Sequence, residues 1–241
     1  MGAVLIARRE LHSYLMSATG WLILGVVLLA QGLLFNALAL GGAEKKSFDV
    51  VQLFFYFSSG TTMVASIFIS MRLFAEEKQL GTLVLLETSP VPEWQVVLGK
   101  FLGGWLFLCL LLLLSLYMPL LVLVNGKITL GHLFAGYFGL ALLGAACVAI
   151  GTLASSLAQS QVLAAVIAGG GILALLLAWM LARKVEGTLG DVLGYLDLFD
   201  KHYRTFTRGT VKLGSVVYYL SLTYTMLLAT TAVLGARRWR G

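Results

Sequence analysis

Apolar residues in this chain come in long unbroken blocks, not in the alternation or narrow stripes of a soluble fold. Gly20–Leu40, Val50–Met71, Phe101–Val124 and Leu213–Ala236 contain no Asp, Glu, Lys or Arg. Each is long enough to cross the roughly 30 Å of bilayer hydrocarbon as a helix, which takes about 20 residues. A fifth charge-free block runs from Ile128 to Ala182. As a single helix it would measure about 80 Å at about 1.5 Å per residue, so it must fold back on itself. Its only polar run, Ser155, Ser156, Gln159, Ser160 and Gln161, marks the turn and predicts helices over 133–153 and 162–182. The pattern predicts an all-α integral membrane protein of six spanning helices, folded as a single domain over residues 1–241.

Ahead of the first span, Val4, Ala7, Leu11, Tyr14, Leu15 and Ala18 recur at helical spacing. Arg8, Arg9, His12 and Ser13 fall away from that stripe. A helix over 3–18 with one apolar and one basic face is expected to lie flat at the headgroup level.

Composition agrees with the blocks. Of 241 residues, 59% are hydrophobic and 12% charged, against about 25% charged in ordinary soluble domains. The mean hydropathy is +0.93. The net charge of +6 sits almost entirely between the apolar blocks, where lipid headgroups and membrane orientation account for it better than nucleic acid does. Six spans put both termini on one side. Eight basic residues then fall on the side of the termini and nine on the other, but six of the nine crowd into Arg183–Lys212 with four acids. Leaving that segment out, the positive-inside rule favours termini in the cytoplasm.

The missing chemistry narrows the function. None of the predicted spans carries an Asp, Glu, Lys or Arg in its core, whereas ion-coupled carriers rely on such groups. A phosphate-cradling G-x-x-x-x-G-K-[ST] loop is absent; Gly99-Lys100-Phe101 lacks the upstream glycine and the hydroxyl. Cys109 and Cys147 both lie in apolar blocks and read as packed thiols. His12, His132 and His202 are scattered, so a metal or general-base site is not expected. The pair Glu76-Glu77 resembles the start of the CAAX membrane-protease motif, but Gly81 stands where that motif needs Arg. The chain is therefore expected to be non-catalytic, with no cofactor of its own, and any energy must come from a partner. The alternatives that stay open are a secondary transporter and a membrane anchor subunit of a larger complex.

The connection between spans two and three, residues 72–100, is too long for a tight hairpin. Leu80, Leu83, Val84 and Leu86 recur near helical spacing beside Glu76, Glu77, Lys78, Gln79 and Glu87. Ser89-Pro90 and Pro92 break the helix, and a second amphipathic piece leads from Glu93 into span three, with Arg72 and Lys100 at the two span boundaries. Such a helix–break–helix suits docking of a soluble partner. Ser59, Thr62 and Ser66 in span two, and Tyr218, Tyr219 and Thr223 in span six, are candidates to line a pathway. Gly103-Gly104, Gly136, Gly139, Gly144, Gly151 and Gly169–Gly171 would let helices approach closely, and Pro119 is placed to kink span three.

The run Glu76-Glu77-Lys78-x-x-Gly81-Thr82-Leu83, then Leu85-Leu86-x-Thr88-Ser89-Pro90-Val91 and Gly99-Lys100, resembles the signature of ABC-2 type transporter permeases. The tail, with His202-Tyr203, Phe206, Arg208-Gly209 and Val216–Thr223, resembles the branch containing the gliding-motility and nitrous-oxide-reductase-maturation permeases. One departure is Val84, where the family often has Glu after Gly-Thr-Leu.

The resemblance implies a permease working with a separate ABC ATPase that binds the ATP and Mg. It implies a second permease copy forming a homodimer, and an accessory membrane subunit with an outer-facing domain. It implies a multi-pass protein of the bacterial inner membrane, with coupling segment 72–100. Within that segment the coupling helix would span Ala75–Leu86. The turn at Ser155–Gln161 would be a minor ATPase contact, and segment 183–212 would form outer re-entrant helices.

Overall fold

The computed structural model describes residues 2–40, 46–82, 91–125, 128–184 and 194–238. Helix α1 is Gly2–Met16 and α2 is Ala18–Leu34, which widens into a π-helical turn over Phe35–Leu40. Helix α3 is Ser47–Ser70, and the short α4 is Ala75–Gln79. Span three begins with α5, Glu93–Leu114, and continues as α6, Tyr117–Asn125. Helices α7, Leu130–Leu157, and α8, Gln161–Ala182, follow. A π turn over Phe199–Tyr203 leads into the four-residue α9, Arg204–Thr207, and α10 spans Leu213–Arg238. Six helices are long and apolar enough to cross a membrane. All six predicted spans are present, with ends displaced by a few residues.

One boundary differs for an identifiable reason. The expected interfacial helix ends at Met16 because Ser17 is extended (φ −90°, ψ 138°) and its hydroxyl caps α2 by accepting from the Gly20 amide at 3.0 Å. Span three is entered by a helix that begins at Glu93, as the amphipathic piece leading into it predicts. The same span is interrupted at Ser115–Leu116. Pro119 accounts for the break, since its ring removes an amide hydrogen and crowds the carbonyl four residues earlier.

The helices run antiparallel in sequence. The carboxyl end of α3 lies beside α1, where the Tyr14 hydroxyl donates to the Ile69 carbonyl at 2.6 Å. The carboxyl end of α10 approaches Glu93 at the start of α5. Both termini are therefore at the same end of the bundle, together with α4 and the α7–α8 turn. Segment 194–212 caps the opposite end.

Helix α7 is the axis, packed on α3, α5, α8 and α10. Small residues make that possible: lipid provides little hydrophobic drive between helices, so close van der Waals approach must hold them. A Cβ at Gly139 would stand 2.6 Å from the Phe206 side chain. Large apolar side chains such as Trp21, Leu29, Leu113 and Leu220 point outward, as a surface solvated by lipid requires.

Helix α1 packs mainly on α5. Its buried stripe runs through Ala7 and Tyr14, while Val4, expected on that stripe, is exposed. The stripe turns by one position because α5 offers glycines to dock against: a Cβ at Gly99 would meet Ile6 at 2.7 Å, and one at Gly103 would meet Glu10 at 2.5 Å.

Candidate functional site

The residues singled out between spans two and three converge on an elbow where α3 gives way to α4. The chain bends after Ser70, and α4 packs inward at Ala75, which is fully buried. Helix α4 is far shorter than the expected Ala75–Leu86. Gly81 stops it: its φ of +70° lies in the left-handed region. The Thr82 amide donates to the Glu77 carbonyl at 2.9 Å and the Gly81 amide to the Lys78 carbonyl at 3.2 Å. That pair of bonds is a Schellman close, which glycine accepts without steric cost. Thr82 also directs its hydroxyl at the Glu77 carbonyl. Leu80 is exposed, so it joins no apolar docking face within this subunit. Leu83, Leu86 and Pro90 lie outside the described residues.

Three sets of contacts hold the elbow. In the first, Lys100 is buried to 1% exposure and places its ammonium 2.8 Å from Glu10 and 2.8 Å from Glu77. The same ammonium stands 5.3 Å from the centre of the Phe74 ring. A single cation thus ties α1, α4 and α5 together. Lys100 lies two turns into α5. A charge can sit there only because both carboxylates and the aromatic face replace its water. The second oxygen of Glu77 is buried with no hydrogen-bond partner.

In the second set, Arg72 bonds both carboxylate oxygens of Glu76, at 2.7 and 3.2 Å. It also reaches the Ser17 and Thr19 hydroxyls at the start of α2 and lies over the Tyr14 ring at 5.4 Å. Burial holds the Tyr14 phenol far above its ordinary range, with Glu10 pushing the same way, so it stays a neutral donor to α3.

In the third set, the Ser155 hydroxyl near the end of α7 accepts from the Phe74 and Ala75 amides, each at 3.0 Å, and donates to the Met71 carbonyl at 3.1 Å. It caps α4 from across the bundle, a role usually taken by the residue preceding the helix. Lys78 returns the contact. Its ammonium bonds the Ala158 carbonyl at 2.8 Å and the Ser156 carbonyl, among the orphan acceptors that a helix carboxyl end presents to a cation.

A cavity of about 530 Å³ opens between α1, the elbow and α5, lined by Arg9, Glu10, Arg72, Glu76, Glu77 and Lys100 among others. Among the described residues no group of three His, Cys, Asp or Glu side chains is placed to hold a metal.

Glu76, Glu77, Lys78, Gly81, Thr82, Gly99 and Lys100 are thus brought together, Gly99 as the seat for α1. Sequence reasoning missed Glu10, Tyr14, Phe74 and the capping role of Ser155. Glu10 did leave a signal, a lone acid between Ala7 and Tyr14 on the stripe that packs inward.

At the opposite end, His202 stacks on Tyr218 with ring centres 3.9 Å apart and planes 8° from parallel. Its Nε2 lies 3.1 Å from the Tyr195 carbonyl and must donate; its Nδ1 lies 3.4 Å from the Ser215 hydroxyl and can accept. Burial pushes the imidazole pKa down, in keeping with this neutral tautomer. Phe206 is fully buried. Arg208 and Gly209 form the stop of α9. The Gly209 φ is +76°, and its amide donates to the Phe206 carbonyl at 2.9 Å while the Thr210 amide donates to the Thr205 carbonyl at 3.2 Å, the same close as at Gly81.

Most of the residues considered for pathway lining turn their hydroxyls to backbone carbonyls. Ser66 donates to the Thr62 carbonyl at 2.8 Å, and Thr223 to the Tyr219 carbonyl at 2.8 Å. The Tyr218 and Tyr219 hydroxyls hold the Leu196 and Leu198 carbonyls at 2.7 and 2.6 Å. Ser59 borders a lipid-side groove.

No curated protein matches the chain. A family model described as ABC-2 family transporter protein matches residues 5–236. With six apolar spans and a match over nearly its whole length, the chain is a multi-pass membrane protein that belongs to the ABC-2 family of transporter proteins.

Proposed function

We propose that this chain is a permease that receives the work of ATP hydrolysis from a separate ABC ATPase through α4 and the residues after it. The observation that carries the reading is the grip on α4. A helix of five residues outside the apolar windows would contribute little by itself. Here it is held by a buried ammonium shared with α1 and α5, by a serine cap from α7 and by its own Lys78 donating to the carbonyls at the end of α7. A push on α4 is therefore felt at once by three other helices, because buried pairs and caps resist separation more than exposed contacts do.

In this reading the end carrying α1, α4 and the α7–α8 turn faces the bacterial cytoplasm, with both termini there. Two permease copies and two ATPase subunits form the working unit, and ATP and Mg are bound by the ATPase. Closure of the ATPases moves the elbows, and the spans rock between two packings to pass a substrate or transmit force. The tail motif resembles the branch of gliding-motility and nitrous-oxide-reductase-maturation permeases, and an accessory subunit with an outer-facing domain fits that resemblance.

The test is ATPase stimulation in the reconstituted complex. Glu77→Arg and Gly81→Leu should each lower stimulation while the chain still inserts and melts as a folded protein. Normal stimulation in both variants, or purification of the full chain from its own cells with no Walker-loop ATPase attached, would remove the coupling assignment. The second outcome would favour a secondary transporter or an anchor subunit.

A further inference from the structure

Two hollows meet on one side of the bundle. The first, about 590 Å³, runs along α3 between α2 and α8, with Gly60 in its floor and Val26, Val64 and Phe68 in its walls. The second, about 640 Å³, opens at the end away from α1 and is bordered by Asp49, Gln52, Asp200 and Arg204 among others. Tyr56, Leu176 and Phe199 line both, so the two form one cleft. At the junction the Tyr56 and Phe199 rings meet edge to face at 5.2 Å.

We propose that this cleft binds a single amphiphile, its alkyl tail along α3 and a cationic or zwitterionic ammonium head at the mouth. The inference rests on the permease reading and names a substrate class for it. Three features favour that occupant over a soluble solute or a second helix. Along α3 the Ser59 and Thr61 hydroxyls turn back to the Tyr56 and Ser58 carbonyls at 2.7 and 3.0 Å, so the floor of the cleft is apolar. The groove faces lipid, with Leu22, Val64 and Phe68 exposed along its rim, so a tail can enter sideways from the bilayer. The mouth lies at the level of the span ends, where a headgroup sits and aromatic rings gather.

Charge selects the head. Arg204 pairs with Asp200 at 3.5 Å, and among the described residues Asp49 has no ion-pair partner. Two carboxylates against one guanidinium leave the mouth with one excess negative charge. An ammonium head is attracted there and a sulfate head is repelled. Volumes of this size match sites that enclose a lipid-sized ligand.

The backbone supplies a clean probe. A Cβ at Gly60 would meet no atom within 4 Å, so a large side chain there fills the cleft without disturbing the helix packing. The experiment uses the full chain in nanodiscs and a diazirine-bearing alkyltrimethylammonium, with labelled peptides mapped by mass spectrometry. Labelling should concentrate on α2 and α3 residues of the cleft and be competed by unlabelled alkyltrimethylammonium but not by alkyl sulfate. Gly60→Trp, and Val64→Trp as a second obstruction, should each weaken labelling by about tenfold, as overpacking a filled site does. Asp49→Asn should weaken it by up to about fivefold, the scale of one exposed charge pair. Leu113→Trp, on a lipid-facing surface elsewhere, should leave it unchanged.

Labelling spread over all lipid-facing helices, or untouched by both obstructions, would overturn the proposal. So would disulfides forming between two copies through Leu22→Cys and Val64→Cys in place of labelling, since a second copy would then occupy the groove. The labelling needs no ATPase. Failure of the cleft therefore leaves the coupling reading standing, and the reverse also holds.

Discussion

Lys100→Met removes the one cation shared by Glu10 and Glu77 and keeps most of the side-chain volume. Two carboxylates are then left facing each other at the junction of α1, α4 and α5, and Glu77 already has a buried oxygen without a donor. Deleting one partner of a buried ion pair costs about 3–5 kcal/mol. The full figure does not apply here. The Glu10 and Glu77 side chains keep 15% and 14% exposure and border a cavity of about 530 Å³. Water and protonation can therefore relieve part of the cost, leaving about 2–3 kcal/mol. For a chain of 241 residues that corresponds to a fall in Tm of about 4–12 °C. The protein carries its own reporter, because Cys147 is fully buried and Cys109 partly so. A thiol-reactive dye that fluoresces on reaction follows melting in detergent. The triple variant Glu10→Gln, Glu77→Gln, Lys100→Met replaces the charges with neutral groups of similar size and should recover most of the loss. A Lys100→Met melt within about 2 °C of the parent, or a triple variant no more stable than the single, would refute the view that the site is held by charge pairing.

Two further outcomes follow from contacts at the two ends. Ser155→Ala strips the cap from the Phe74 and Ala75 amides and should destabilise the elbow by about 1–3 kcal/mol, seen as faster hydrogen exchange in the peptide covering 72–82 with little change in α10. At the other end, burial lowers the His202 pKa from the ordinary 6.5, so the folded state binds fewer protons than the unfolded chain below that value. Its contribution to stability is complete above pH 6.5 and declines as pH falls through it. Tm measured from pH 8 to 5 should drop more steeply for the parent than for His202→Gln.

The spans were legible because a bilayer imposes a length and an apolar composition that nothing else in the chain imitates. The elbow was legible only as a location. Gly81 and Gly209 stood in motifs, but their shared reason, a left-handed residue closing a short helix, depends on ψ-by-ψ geometry that residue type merely permits. Lys100 was legible as a charge beside an apolar run, which marks a span boundary, but its burial was not. Only the approach of Glu10 from ninety residues away makes its burial tolerable, and pairing across that separation leaves no periodic trace. The cleft was illegible for the opposite reason. Its walls are ordinary lipid-facing residues, and it exists because α2 and α8 stand apart over Gly60.

Helix α3 links the two ends of the molecule. Its carboxyl end carries Ser70 and the Arg72 elbow, and its amino half carries Asp49, Tyr56 and Gly60 in the cleft. Between them Ser70 bonds back to the Ser66 carbonyl at 2.6 Å and Ser66 to the Thr62 carbonyl at 2.8 Å. These hydroxyls are fully buried yet spend their donors on their own helix, so they form no lock with α7. Facing them, Gly144 and Gly151 of α7 present only backbone to Thr62 and Ser70. An interface of self-satisfied hydroxyls against glycine has no interhelical hydrogen bond to break when it shifts. By contrast, Gln31 of α2 donates to Ser58 at 2.6 Å within the bundle, in the half of α3 nearer the cleft. A displacement imposed at the elbow, which Ser155 pins to the end of α7, would thus pivot α3 about that point while drawing α2 with it. The wall of the cleft formed by α2 and α3 would then move as one body against α8, which is the motion that opening or closing that cleft requires.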